Sequence, residues 1–142
     1  MHNYASMDVM KKLKDEIDIE LAKYLLEKVE NENYPMPCTY KDIAIELEKR
    51  LGRPVNAHFN LTRPLGNILK LCFELNLPLI TALVRRDTKG KTQGAGEGFY
   101  TLACELKPQY KNMTSFEAWK KELSLIRECK DWTQLRKYLS DL

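Results

Sequence analysis

Proline placement constrains this chain most, because Pro35, Pro37, Pro54, Pro64 and Pro78 decide where helices can run. A proline inside a helix removes a backbone hydrogen bond and clashes with the preceding turn, so it sits in a first turn or beyond an end. Upstream of Pro35, the apolar residues Met10, Leu13, Ile17, Leu21, Tyr24 and Leu25 recur at helical spacing. This predicts one long amphipathic helix from about Ser6 to Glu30, with Lys, Glu and Asp on its outer face. Asn31 to Cys38, with two prolines, reads as a loop.

Thr39-Tyr-Lys-Asp42 is a capping signal: the Thr39 hydroxyl accepts the Asp42 amide, and an early acid suits the positive end of a helix. A second helix follows with Ile43, Ala44, Leu47 and Leu51 inward, ending at Gly52 and Pro54. Asn60 or Thr62 caps a third, which has Pro64 in its first turn, Leu65, Ile68, Leu69, Cys72 and Phe73 on one side, and Pro78 as its stop. Beyond Pro78 the pattern changes. Leu79 to Val84 is a short apolar, β-branched run, Asp87-Thr-Lys-Gly90 is turn chemistry, and Gly98-Phe-Tyr-Thr-Leu102 offers a returning strand. Thr114-Ser-Phe-Glu117 forms a capping box ahead of Trp119, Leu123 and Ile126, and Asp131 caps a last helix with Trp132, Leu135, Tyr138 and Leu139.

The expected fold is mainly α with a small β-hairpin. Its core, residues 39–104, is winged-helix-like (helix-turn-helix plus wing), preceded by the long N-terminal helix and loop (1–38) and followed by a helical extension (105–142). At 142 residues this is the size of a single domain that folds without metal or disulfide. Cys38, Cys72, Cys104 and Cys129 are widely separated, with only His2 and His58 to complete a metal site, so neither metal nor other cofactor is expected. No apolar run approaches the roughly 20 residues of a membrane helix, and the amino terminus has no signal-peptide core; the cytoplasm is the expected location.

Charge is unevenly placed. Residues 1–48 carry 6 basic and 11 acidic side chains, whereas residues 49–93 carry 9 basic against 2 acidic. Two short helices followed by a basic hairpin is the order in which a second helix enters the major groove and a wing rests on the backbone. On that reading the DNA-binding set is Tyr40, Arg53, His58, Asn60, Thr62, Arg63, Asn67 and Lys70, with Arg85, Arg86, Lys89 and Lys91 on the wing. Arg and Asn can pair with guanine and adenine edges, while Lys mostly neutralises phosphate.

At these residues the sequence resembles the carboxy-terminal DNA-binding domain of the alkylguanine-DNA alkyltransferases and, more closely, the alkyltransferase-like proteins that lack the reactive cysteine. Thr39-Tyr-Lys-Asp-Ile-Ala44 looks like the family's Tyr-x-x-Leu/Val-Ala helix start, and Arg63-Pro-Leu-Gly66 like its Arg-Ala-Val-Gly turn. Leu79-Ile-Thr-Ala-Leu83 lies where the family has Ile-Pro-Cys-His-Arg, which puts Ala82 at the cysteine position. The match spans roughly Thr39 to Gly90. It implies a reader of duplex, damaged or modified DNA rather than a repairer, with Tyr40 near the phosphate and Arg63 probing the stack; without the kinship, Tyr40 is a packing aromatic. The segment from Asn76 to Tyr100 also resembles part of small bacterial and phage proteins, some associated with nucleases of restriction or defence systems.

The leading expectation is a non-enzymatic DNA-binding protein whose partners are duplex DNA and a protein such as a nuclease. The alternative is a protein-interaction module, such as a phage-encoded inhibitor of a nucleic-acid enzyme, presenting the acidic first helix or the basic centre. A metal-dependent nuclease would need clustered carboxylates, yet Asp15, Asp18 and Glu20 read as an ordinary polar helix face. Gly94-x-Gly96-x-Gly98 lacks the preceding strand and following helix of a nucleotide loop in the required order, and reads as a turn.

Overall fold

In the computed structural model, which describes residues 13, 15–57, 60–85, 87–88, 91–92 and 96–142, helices dominate. The order is α1 (Glu16–Asn31), β1 (Cys38–Thr39), α2 (Tyr40–Leu51), α3 (Thr62–Glu74), β2 (Val84–Arg85), β3 (Asp87–Thr88), β4 (Lys91–Thr92), α4 (Glu97–Leu106), α5 (Ser115–Glu128) and α6 (Thr133–Ser140). Tight 3-10 turns at Ile80–Leu83 and Pro108–Asn112 link α3 to β2 and α4 to α5.

Local chemistry sets several boundaries. Thr39 and Asp42 form the full capping box of α2, which closes on Gly52 at φ 70°, a left-handed conformation that glycine adopts freely. Thr114 and Glu117 do the same for α5. The start of α3 is different. Its cap residue is Leu61, with no side-chain cap, because the Asn60 carboxamide oxygen accepts the Asn56 amide at 2.8 Å instead. At its far end Asn76 turns left-handed (φ 60°), and the Leu77 amide reaches back to the Cys72 carbonyl at 2.9 Å, ahead of Pro78. The first helix starts at Glu16, behind an extended Asp15 (φ −84°, ψ 151°), and not at about Ser6, so Leu13 is buried without being part of it; residues 6–12 and 14 of the predicted span lie outside the described residues.

Two expected strands are corrected. The apolar run after Pro78 is a 3-10 turn that becomes strand only at Val84–Arg85. Ile80, Thr81, Ala82 and Leu83 are all buried, so burial on every side, not strand alternation, explains the run. Trp119 of α5 fixes this turn by donating its indole N–H to the Ala82 carbonyl at 2.7 Å. Residues 98–102 belong to helix α4 rather than to a returning strand, with Phe99, Leu102, Ala103 and Leu106 at helical spacing against the core. The returning strand of the hairpin is the shorter β4, paired antiparallel with β3 (Asp87 opposite Thr92, Thr88 opposite Lys91). Its predicted tip, Lys89 and Gly90, lies outside the described residues. The supposed loop before α2 supplies β1, which pairs in parallel with β2, Cys38 opposite Val84 and Thr39 opposite Arg85.

The main core joins Leu21 and Leu25 of α1, Ile43 and Leu47 of α2, Ile68 and Leu71 of α3, and Leu123, Ile126, Leu135 and Leu139 of the last two helices. The carboxy-terminal helices therefore share the core of the centre. A smaller cluster of Leu69, Leu79, Ala103, Cys104, Tyr110 and Ala118 packs α4 beneath α3.

Candidate nucleic-acid interface

Helix α3 buries Pro64, Ile68, Leu71 and Cys72 and leaves Thr62, Arg63 and Lys70 exposed. Positions 63 and 70 are two turns apart and share one side. Arg63, 70% exposed, pairs with Asp15, and Arg53, 51% exposed, lies 3.6 Å from Glu16. Such solvated pairs are worth 0 to about 1 kcal/mol and yield to a stronger polyanion. Asn67 is committed inward: its amide donates to the Asp18 carboxylate at 3.0 Å, so the start of α1 meets Arg53, Arg63 and Asn67 together. Asp18 is 2% exposed, and burial raises its pKa above the ordinary 3.8 although the Asn67 hydrogen bond works the other way.

The other sequence-chosen residues divide. Asn60 is used within its own loop. Arg85 sits half-buried in β2 beside the start of α2, and Lys91 is in β4 of the hairpin. His58, Arg86 and Lys89 lie outside the described residues. Arg50, part of the positive centre by composition, bridges Glu27 at 2.6 Å and Glu46 at 3.0 Å and lies over the Tyr24 ring, so it ties α2 to α1.

Tyr40 and Thr62 come together at a cleft where the starts of α2, α3 and α4 meet the 3-10 turn and β2. Among the described residues, Leu65, Gly66, Leu69, Thr81, Val84, Gly98, Phe99 and Leu102 also line it. Sequence reasoning chose Tyr40 and Thr62 but missed Thr81 and Phe99, whose approach depends on α4 being a helix. Gly66, a glycine inside a helical pattern, was the available signal.

The three acids weighed for a metal-dependent nuclease each meet a basic or amide side chain. Asp15 faces Arg63, Asp18 faces Asn67, and Glu20 lies between Lys23 at 3.6 Å and Arg50 at 3.7 Å. Among the described residues no group of three or more His, Cys, Asp and Glu is placed to hold a metal ion. Burial pushes the Cys38 thiol up to about 11 and the Cys72 thiol to about 12, which favours the protonated form near neutral pH. Ala82 is fully buried. No helix among the described residues is long and apolar enough to cross a membrane. Comparison with protein-family models, with curated proteins and with solved structures finds no match to this chain.

Proposed function

We propose that this chain is a non-enzymatic, winged-helix-like protein that binds duplex DNA, with α3 in the major groove and the β3–β4 hairpin against the backbone. The observation that carries this reading is the outward side of α3, where Thr62, Arg63 and Lys70 stand exposed on a helix whose opposite side is core. A 13-residue helix is about 20 Å long, and the major groove is about 12 Å wide, enough to admit a helix. Arg63 offers paired donors to a guanine edge, and Lys70 and Arg85 offer charge to phosphate. The resemblance to alkyltransferase-like proteins extends the proposal to damaged or modified bases, with Arg63 probing the stack and Tyr40 near the phosphate.

The test is fluorescence anisotropy of labelled plain and alkylated duplexes at two salt concentrations. Affinity is expected to fall with salt by about 0.9 power of concentration per phosphate neutralised. Arg63→Ala should reduce discrimination between the duplexes more than basal affinity, and Arg85→Ala with Lys89→Ala should weaken binding to all of them. Asp15→Asn, which frees Arg63 from its internal partner, should tighten binding. Undetectable or salt-independent association ends the proposal.

A further inference from the structure

Gly66 lies inside α3 and Gly98 in the first turn of α4, yet neither position demands glycine. Among the described residues Gly52 is the glycine at positive φ, so Gly66 and Gly98 have backbones that any residue adopts. A Cβ on Gly66 would just touch the Leu102 side chain at 3.4 Å, and one on Gly98 would meet nothing within 4 Å. Alanine is the better helix former, so glycine at position 66 weakens its helix without a return in close packing. What the two glycines share is the cleft beside Tyr40: both line it, and both leave it open.

The same cleft holds an unanswered polar group. Thr81 is 4% exposed, lines the cleft, and its hydroxyl has no hydrogen-bond partner among the described residues. Buried hydroxyls are nearly always satisfied, and an orphan one marks where a water or ligand belongs. Beside the hydroxyl-bearing Thr62 and Tyr40, the described lining is chiefly apolar, with Leu65, Leu69, Val84, Phe99 and Leu102. The cavity volume is about 90 Å³. A closed apolar cavity of about 150 Å³ accepts benzene, so this smaller cleft cannot enclose two fused rings, and it takes a single six-membered ring only because one side is open.

We propose that this cleft is a binding site for a single six-membered aromatic ring bearing a hydrogen-bonding atom, which packs between the apolar walls and pairs with the Thr81 hydroxyl. Threonine's hydroxyl both donates and accepts, so a phenolic O–H or a ring carbonyl is equally suited. The ring can arrive on a free small molecule or as an unstacked base of a nucleic acid. The site stands independently of the duplex-binding reading.

The test follows the backbone amides of Gly66, Thr81 and Gly98 by two-dimensional NMR during titrations, without duplex DNA, of phenol, benzene, 2-naphthol, thymidine and a short single-stranded thymine oligonucleotide. Saturable shifts at these amides with phenol or thymidine identify a free small molecule as the source; shifts with the oligonucleotide alone identify a nucleic acid. 2-Naphthol is expected to bind at least tenfold more weakly than phenol. Gly98→Ala, whose methyl enters open space, and Gly66→Ala, which should raise the thermal midpoint, are each expected to weaken the bound ring at least tenfold. For a phenol site, Thr81→Val should bring phenol down to the affinity of benzene. Absence of saturable shifts at these amides with phenol, thymidine and the oligonucleotide alike, equal binding of 2-naphthol, or unaltered binding by both glycine variants overturns the proposal. Because no duplex is present, its failure and that of duplex binding are read separately.

Discussion

Asp18 is a carboxylate held where ionisation is costly. One oxygen accepts from Asn67, the other has no partner among the described residues, and the residue is almost wholly buried. Burial raises its folded-state pKa above 3.8, so the folded chain keeps this proton to higher pH than the unfolded chain does. Its contribution to stability is therefore full below pH 3.8 and is lost as pH rises through the raised value. Asp18→Asn removes that titration. In urea denaturation the variant should exceed the wild type in unfolding free energy at pH 7, and the excess should shrink steadily towards pH 3; a difference independent of pH would refute the assignment. The same pair shows why Asn67 was chosen from sequence as an outward reader: a polar residue beside Lys70 looks solvated until a partner 49 residues away is known.

At the scale of elements, α2 and α5 share one starting device. In each, threonine and an acid three residues on satisfy each other's backbone amides, which would otherwise be orphaned at a helix start. Thr39→Ala and Thr114→Ala should each cost about 1 kcal/mol, measured by urea denaturation with unchanged native circular dichroism. Thr39 also pairs with Arg85 through β1 and β2, so its loss should loosen the amide protection of Arg85, whereas Thr114→Ala should leave it unchanged. These two helix starts were legible because all the chemistry lies within four residues. Helix α4 was not: Gly98 to Leu102 is too short a window to separate a helical from an extended pattern, and packing on α3 decides the matter.

Across the whole molecule, Glu122 gathers segments that no local rule connects. This fully buried carboxylate of α5 accepts from the Leu79 amide at 2.6 Å, from the Lys107 ammonium at 2.8 Å and from the Tyr110 hydroxyl. It thereby binds the entry to the 3-10 turn and the α4–α5 connection to one helix. Its presence also raises the Tyr110 pKa, after burial itself, so that phenol remains a donor. Glu122→Ala would leave the Leu79 amide and the largely enclosed Lys107 ammonium without their acceptor. A loss of about 3–5 kcal/mol in unfolding free energy is expected, on the scale of breaking a buried ion pair from one side. A loss below 1 kcal/mol in urea denaturation would show that the three segments are held independently.

The amino-acid sequence by itself determined the second, fifth and sixth helices, the capping boxes, the glycine stop at Gly52 and the inward-facing stripes, because each rests on residues within one or two turns. Tertiary structure alone decided that the run after Pro78 coils into a 3-10 turn under Trp119, that Cys38 and Thr39 pair with Val84 and Arg85, and that Asn67 turns to Asp18. It also decided that Thr81, Gly66, Gly98 and Tyr40 border one cleft. The physical reason is distance along the chain. Hydrogen bonds and contacts between residues far apart in sequence leave no periodic trace, and burial on all sides erases the alternation from which a strand or helix face is read.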